Sequence, residues 1–151
     1  MNLEDCFKKN LLRKTDPSAA KANRSLEQAR VWVDEAKQTL DAGAYRSGLM
    51  AVYMGYFHAA RSVLFRDGLR EKSHICIELY LEEYVRRGRL EEEWTLLYHR
   101  LRSARHLDQY SFGATPTEDE VEYAIGHAEA FIDRIERLLR ETEDERKANS
   151  R

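Results

Sequence analysis

Proline and cysteine occur only twice each in these 151 residues, and glycine seven times. So little proline leaves long stretches free to be helical, because a proline inside a helix removes a backbone donor and clashes with the preceding turn. The glycines are scattered, so there is no Gly-rich phosphate loop, and no GxSxG elbow or HExxH pair is present. Cys6 and Cys76 are isolated thiols without CxxC spacing; two reduced cysteines are expected, with neither a disulfide framework nor a zinc site. No apolar run approaches the roughly 20 residues of a membrane-spanning helix. The opening stretch "MNLEDCFKKNLLRK" carries acids early and lacks an apolar h-region, so a cytoplasmic location is expected. The net charge of −2 argues against blanket affinity for nucleic acid. Nothing in the sequence calls for a cofactor, a metal or a membrane.

What is present is charge and helical periodicity. Charged residues make up 34% and hydrophobic ones 42%, as in a globular protein rich in surface helix. One domain over residues 1–151 is expected, with its core over about 22–140 and weakly ordered ends at 1–15 and 141–151. Pro17 and Pro116 stand where helices begin, and Gly43, Gly68 and Gly88 where they end. The first long helix is predicted from about Asp16 to Ala42, with Leu26, Ala29, Val33, Ala36 and Leu40 as its apolar seam. The second, from about Ala44 to Asp67, is apolar nearly all round and therefore central. Its small residues Ala44, Gly48, Ala51, Gly55, Ala59 and Ser62 form one stripe, which predicts a close helix neighbour. A shorter helix follows Ser73 and ends near Gly88. A fourth begins near Leu90 on a seam of Trp94, Leu97, Leu101 and Ala104. A Thr117–Glu120 capping box opens the last, which carries Val121, Ala124, Ala128, Phe131, Ile135 and Leu138 and loses its apolar face after Arg140. No period-2 run is long enough to predict a strand. The fold class is all-α: an antiparallel four- to five-helix bundle.

The stretch "RLRSARHLDQYSFG" raises the functional question. On a wheel with His99 at zero, Arg102 falls at about 300°, His106 at about 340° and Tyr110 at about 20°, while the seam centres near 180°. The polar stripe is thus expected opposite the core, open to solvent or to a second subunit. A homodimer is predicted, because a two-fold contact uses one patch twice and interfaces favour aromatic residues. His99 and His106 cannot share a metal, being about 10.5 Å apart along the axis. Arg100, Arg102 and Arg105 offer forked donors suited to phosphate. The plainer alternative pairs these arginines with Glu91, Glu92 and Glu93 or with the acidic last helix. His58 is expected to be packed and hydrogen-bonded; His74 and His127 have no nameable partner.

The segment "AYRSGLMAVYMGYFHAARSVL", followed later by "RHLDQYSFGATPTEDEVEYAIGHAEAFIDRIERLL", resembles the HEPN domain family (higher eukaryotes and prokaryotes nucleotide-binding), in particular its small stand-alone prokaryotic branch. The likeness covers about residues 22 to 140 and implies the HEPN helical fold. It also implies a site in which an arginine and a histidine, with four to six residues between them, meet their copies across a dimer cleft and cut RNA without metal. Arg100 and His106 have that spacing but point about 120° apart on one helix. Arg105 followed by Tyr110 is similar to an uncharacterised branch in which tyrosine replaces the histidine; a tyrosine near pKa 10 is a poor base, leaving His106 as the substitute. The catalytic candidates are therefore Arg105 and His106, with Arg100 as the alternative to Arg105, and the nucleotide-binding candidates are Arg102, Arg105 and Tyr110. The leading expectation is a dimeric nucleotide- or RNA-binding module partnered with a small nucleotidyltransferase, as in toxin–antitoxin pairs. A metal-independent endoribonuclease toxin and a purely structural helical adaptor are the alternatives.

Overall fold

The computed structural model describes the backbone of residues 1–110 and 114–149, and their side chains except at 107–110, 142–143 and 146–147. The elements are α1 (Leu3–Lys8), β1 (Leu12–Lys14), α2 (Ala19–Asp41), α3 (Tyr45–Asp67), β2 (Leu69–Glu71), α4 (His74–Arg86), α5 (Glu92–Tyr110) and α6 (Glu118–Asn149). The helix stops follow the glycines: Gly43, Gly68 and Gly88 all sit at positive φ, between 72° and 76°. Ser18 caps α2, its Oγ accepting from the Lys21 N–H at 3.1 Å. Thr117 Oγ1 likewise accepts from the Glu120 N–H at 3.2 Å, as the capping box predicts. Ser73 occupies the N-cap of α4 without a side-chain cap bond.

The result is a helical bundle with α3 at its centre, touching α2, α4, α5 and α6. Its apolar residues Leu49, Val52, Tyr53, Tyr56, Phe57, Val63 and Leu64 are all buried. The small-residue stripe does what its cost requires. A Cβ on Gly55 would lie 2.8 Å from Val33 Cγ2, and one on Gly48 would lie 3.0 Å from Val121 Cγ1, so α2 and α6 come as close as glycine allows. Val121, Ala124, Ala128, Phe131, Ile135 and Leu138 of α6 are buried against this centre, with Tyr56 stacked on Phe131 at 4.4 Å. No helix among the described residues is long and apolar enough to cross a membrane.

Three features depart from the sequence expectations. Cys6 and Cys76 are joined in a disulfide rather than reduced, with Cα atoms 5.9 Å apart. Residues 70 positions apart in sequence meet because α1 packs on α4, which no local spacing reveals. A two-stranded antiparallel ladder also forms, pairing Leu12 with Glu71 and Lys14 with Leu69; three-residue strands are too short to show a period. Gly68 makes room for it, since a Cβ there would sit 2.7 Å from the Thr15 carbonyl oxygen. The bond, the ladder and the burial of Cys6 and Leu12 hold residues 1–15 on the bundle, instead of leaving them loosely attached. Finally, α6 continues past Arg140 to Asn149, and Arg89 pairs with Glu145 at 2.8 Å on that extension.

Candidate functional site

The stretch "RLRSARHLDQYSFG" begins on α5, whose apolar seam packs on the core as expected but whose most buried residues stand beside that seam. Tyr98 is 0% exposed and Thr95 5%, whereas Trp94, Leu97, Leu101 and Ala104 are only partly buried. On the wheel Tyr98 falls at about 260°, so the inward direction is rotated by about 80° from the expected seam. Arg102 and Arg105, at about 300° and 240°, then flank the buried tyrosine instead of standing opposite the core. This corrects the expected solvent-facing stripe at Arg102, while His99 and His106 are exposed as expected. The cause is tertiary: α3 and α4 present partners that satisfy polar side chains there.

Those partners are Tyr53 of α3 and His74 and Glu78 of α4. The Glu78 carboxylate, 5% exposed, accepts from Arg102 Nε at 2.8 Å and meets His99 Nδ1 at 2.6 Å. Burying a carboxylate is tolerable only with such donors at hand. Arg102 therefore pairs with Glu78, not with Glu91, Glu92, Glu93 or α6. Glu91 is taken by Arg134, whose Nε donates at 2.7 Å; that bond holds the Glu91 carboxyl down at about 2.

Arg105 has no carboxylate partner among the described residues. Its guanidinium lies over the Tyr53 ring, 4.6 Å from the centroid, and its Nε is buried without a hydrogen-bond partner among the described residues. The Tyr53 hydroxyl meets His74 Nδ1 at 2.5 Å, and its ring stacks on Tyr98 at 6.0 Å. His74 also stacks on Phe57 at 4.4 Å. Burial, followed by the charges of Arg105, Arg102 and Arg61, lowers the proton affinity of His74. An imidazole of lowered proton affinity thus sits within electrostatic reach of Arg102 and Arg105, of which only Arg102 has a carboxylate partner among the described residues. Chemically, the cluster can attract an anion and accept a proton.

The remaining candidates scatter. Arg100 is exposed and lines a different groove, of about 210 Å³, with Tyr56, Tyr123 and His127. The Arg100–His106 register therefore does not converge. His106 is exposed, next in sequence to Arg105. The Tyr110 side chain lies outside the described residues. His58, expected to be packed and hydrogen-bonded, is half-buried with its ring against Phe57, and its backbone carbonyl accepts the Ser25 hydroxyl at 2.6 Å. Sequence reasoning missed Tyr53, His74 and Glu78 as site residues. A signal for two of them was available, since His74 and Glu78 are four apart and share a helix face.

Comparison with known proteins bears on the same region. Over 117 residues the chain is 30% identical to a protein of Methanocaldococcus jannaschii named "Putative toxin MJ0605", an overlap of 77% of this chain and 87% of that protein. It is 27% identical over 113 residues to a "UPF0332 protein" of Thermotoga maritima, covering 74% of this chain and 86% of the relative. A family model described as HEPN domain matches residues 22–138, which takes in most of α2, all of α3 to α5 and most of α6. The chain is a member of the HEPN domain family.

Proposed function

We propose that this chain is a toxin-type HEPN module that binds a phosphate-bearing ligand, a nucleotide or RNA, at the α5 cluster. The observation that carries the proposal is that Arg105, among the described residues, has an aromatic face and no carboxylate for a partner. Glu78 serves Arg102 and His99 together, and no carboxylate among the described residues serves Arg105. In a chain of net charge −2 this is a local cationic site, so attraction to phosphate would be short-ranged and salt-sensitive. Arg102 and Arg105 supply the charge, and Tyr110 is assigned to contact the nucleotide. The similarity to a protein named as a toxin supports the toxin-like role. A homodimer joined on the α5 side, and a small nucleotidyltransferase as partner, complete this reading.

The second reading, a metal-independent endoribonuclease using Arg105 with His106, is favoured by one specific observation. His106 is exposed and next in sequence to Arg105, so it can serve as the general base that an Arg–Tyr pair lacks. Titration with a short single-stranded RNA at low salt tests the binding reading, and light scattering tests the dimer. Arg105→Ala should weaken binding and reduce the salt slope by about one. Cleavage that persists in EDTA and disappears with His106→Ala would establish the nuclease reading. No binding at low salt leaves the structural adaptor, and co-purification with a co-expressed small nucleotidyltransferase tests the partner.

A further inference from the structure

An open groove of about 290 Å³ runs between α2 and α3, away from the α5 cluster. Lys21, Arg24, Ser25 and Gln28 of α2 form one wall, and His58, Arg61 and Phe65 of α3 form the other. Their spacing puts each set on one helix face. The Ser25 hydroxyl donates to the His58 carbonyl at 2.6 Å and ties the two helices together beneath the groove. No acidic residue lines it. Arg61 is held in place: its Nε lies 2.8 Å from the Glu71 carboxylate, and its guanidinium lies 4.7 Å from the centre of the Phe65 ring. Lys21 and Arg24 are exposed and form no ion pair among the described residues. The other two cations of α2 are matched by acids of α6: Arg30 meets Asp133 at 3.1 Å and Glu136 at 2.8 Å, and Lys37 meets Glu129 at 2.7 Å. Glu27, three residues from Arg24, does not line the groove. The positive charge continues onto the ladder, where Arg13 and Arg70 stand directly opposite each other, both exposed. Like charges so placed destabilise a strand pair, and Arg70 is next in sequence to the Glu71 that holds Arg61. An anion over this surface offsets that repulsion.

We infer that this groove is a second anion site, which takes the phosphate oxygens of a ligand bearing two or more negative charges between Lys21, Arg24 and Arg61. The two guanidinium forks match phosphate geometry, and the ammonium adds a mobile point charge. Gln28 supplies a neutral amide donor. Burial, with the charge of Arg61, lowers His58 to about 4, so at neutral pH its ring brings a hydrogen-bond donor without a charge of its own. A monocarboxylate offers one charge and two oxygens to three cations and is the poorer match. Attraction of this kind is screened by salt. The inference does not rest on the α5 reading, because no residue of α5 lines the groove.

The test is calorimetric titration of the full-length protein with inorganic pyrophosphate at low salt, in an Arg105→Ala background that disables the α5 cluster. Saturable binding should remain, and saturation should shift the ring-proton NMR signals of His58. Adding Lys21→Ala or Arg24→Ala should weaken binding about tenfold or more. Lys37→Ala removes the same charge from α2 outside the groove and should change affinity by less than about twofold. All three side chains are exposed, and circular dichroism checks that the variants remain folded. Displacement of pyrophosphate by ADP identifies a free nucleotide as the source of the phosphate, and displacement by a short single-stranded RNA alone identifies a nucleic-acid backbone. Absence of saturable binding, unmoved His58 signals, or an equal loss with Lys37→Ala overturns the inference. If pyrophosphate binds the wild type but not Arg105→Ala, the groove proposal fails and the α5 reading stands. If binding survives Arg105→Ala undiminished and is lost with Arg24→Ala, the groove holds the anion and the α5 reading fails.

Discussion

Glu78 on α4 and Arg102 on α5 form a nearly buried ion pair at 2.8 Å, with side-chain exposures of 7% and 22%. His99 shares the same carboxylate from the solvent side. One acid thus neutralises part of the positive field of α5, and this sets both the stability of the α4–α5 junction and the charge left for a ligand.

Glu78→Gln should therefore act in two directions. Removing one partner from a buried pair leaves an uncompensated charge, and a loss of about 3 kcal/mol is expected in urea denaturation. The same change frees Arg102, so binding of RNA or phosphate at low salt should tighten. Unchanged or weaker binding in a folded variant would remove Arg102 from the proposed site.

Cys6→Ser, or reduction of the wild type, should destabilise the fold by about 4 kcal/mol, the chain-entropy expectation for a closed loop of this size. Thermal melts with and without reductant check the magnitude, and thiol labelling of the denatured, unreduced protein checks that the bond exists.

Gly55→Ala gains about 1 kcal/mol of helix propensity but drives a methyl into Val33 Cγ2 at 2.8 Å. Overpacking of that kind costs about 1–3 kcal/mol, so a net destabilisation is expected. Val33→Ala in the same chain should recover part of the loss. A double-mutant cycle without coupling would show that α2 moves aside freely.

Stability should fall as the solution is acidified from pH 6.5 to about 4. Burial, with a contribution from Arg61, lowers His58 from 6.5 to about 4, and His74 is lowered in the same sense. In that window the unfolded chain binds protons that the folded chain does not, so acid favours unfolding. For the half-buried His58 the effect is roughly 1–2 kcal/mol. His58→Gln should flatten part of the profile in this window and leave the slope below pH 4 unchanged. Glu91, held at about 2, withdraws its contribution only below its ordinary carboxyl value.

The ends of α2, α3 and α4 and the starts of α2 and α6 were legible because glycine at positive φ and Ser or Thr caps are local signals. The central position of α3 was legible for the same kind of reason, as a helix apolar on every side has nowhere else to go. The orientation of α5 was legible only as far as its apolar seam. Its inward residues, Thr95, Tyr98, Arg102 and Arg105, are polar or amphipathic, and their partners Tyr53 and Glu78 arrive from other helices. A wheel weighted by hydrophobicity follows Trp94, Leu97 and Leu101 instead. The arginines of the site were named from the sequence alone, while their acid and their aromatic support depend on packing. Cys6 and Cys76 escaped for a related reason: a disulfide follows from where α1 lands on α4.

The bond between Cys6 and Cys76 turns the polypeptide into a closed ring with two tails. Tension applied to the two ends enters that ring at Cys6 and leaves it at Cys76. The segment between them, which holds α2 and α3, carries no load while the bond is intact. Pulled in this way, α5 and α6 are the parts that peel and lengthen, and the α2–α3 pair stays behind as an unstretched knot of structure. Cutting the bond would release about 240 Å of hidden contour from the 70 positions it encloses.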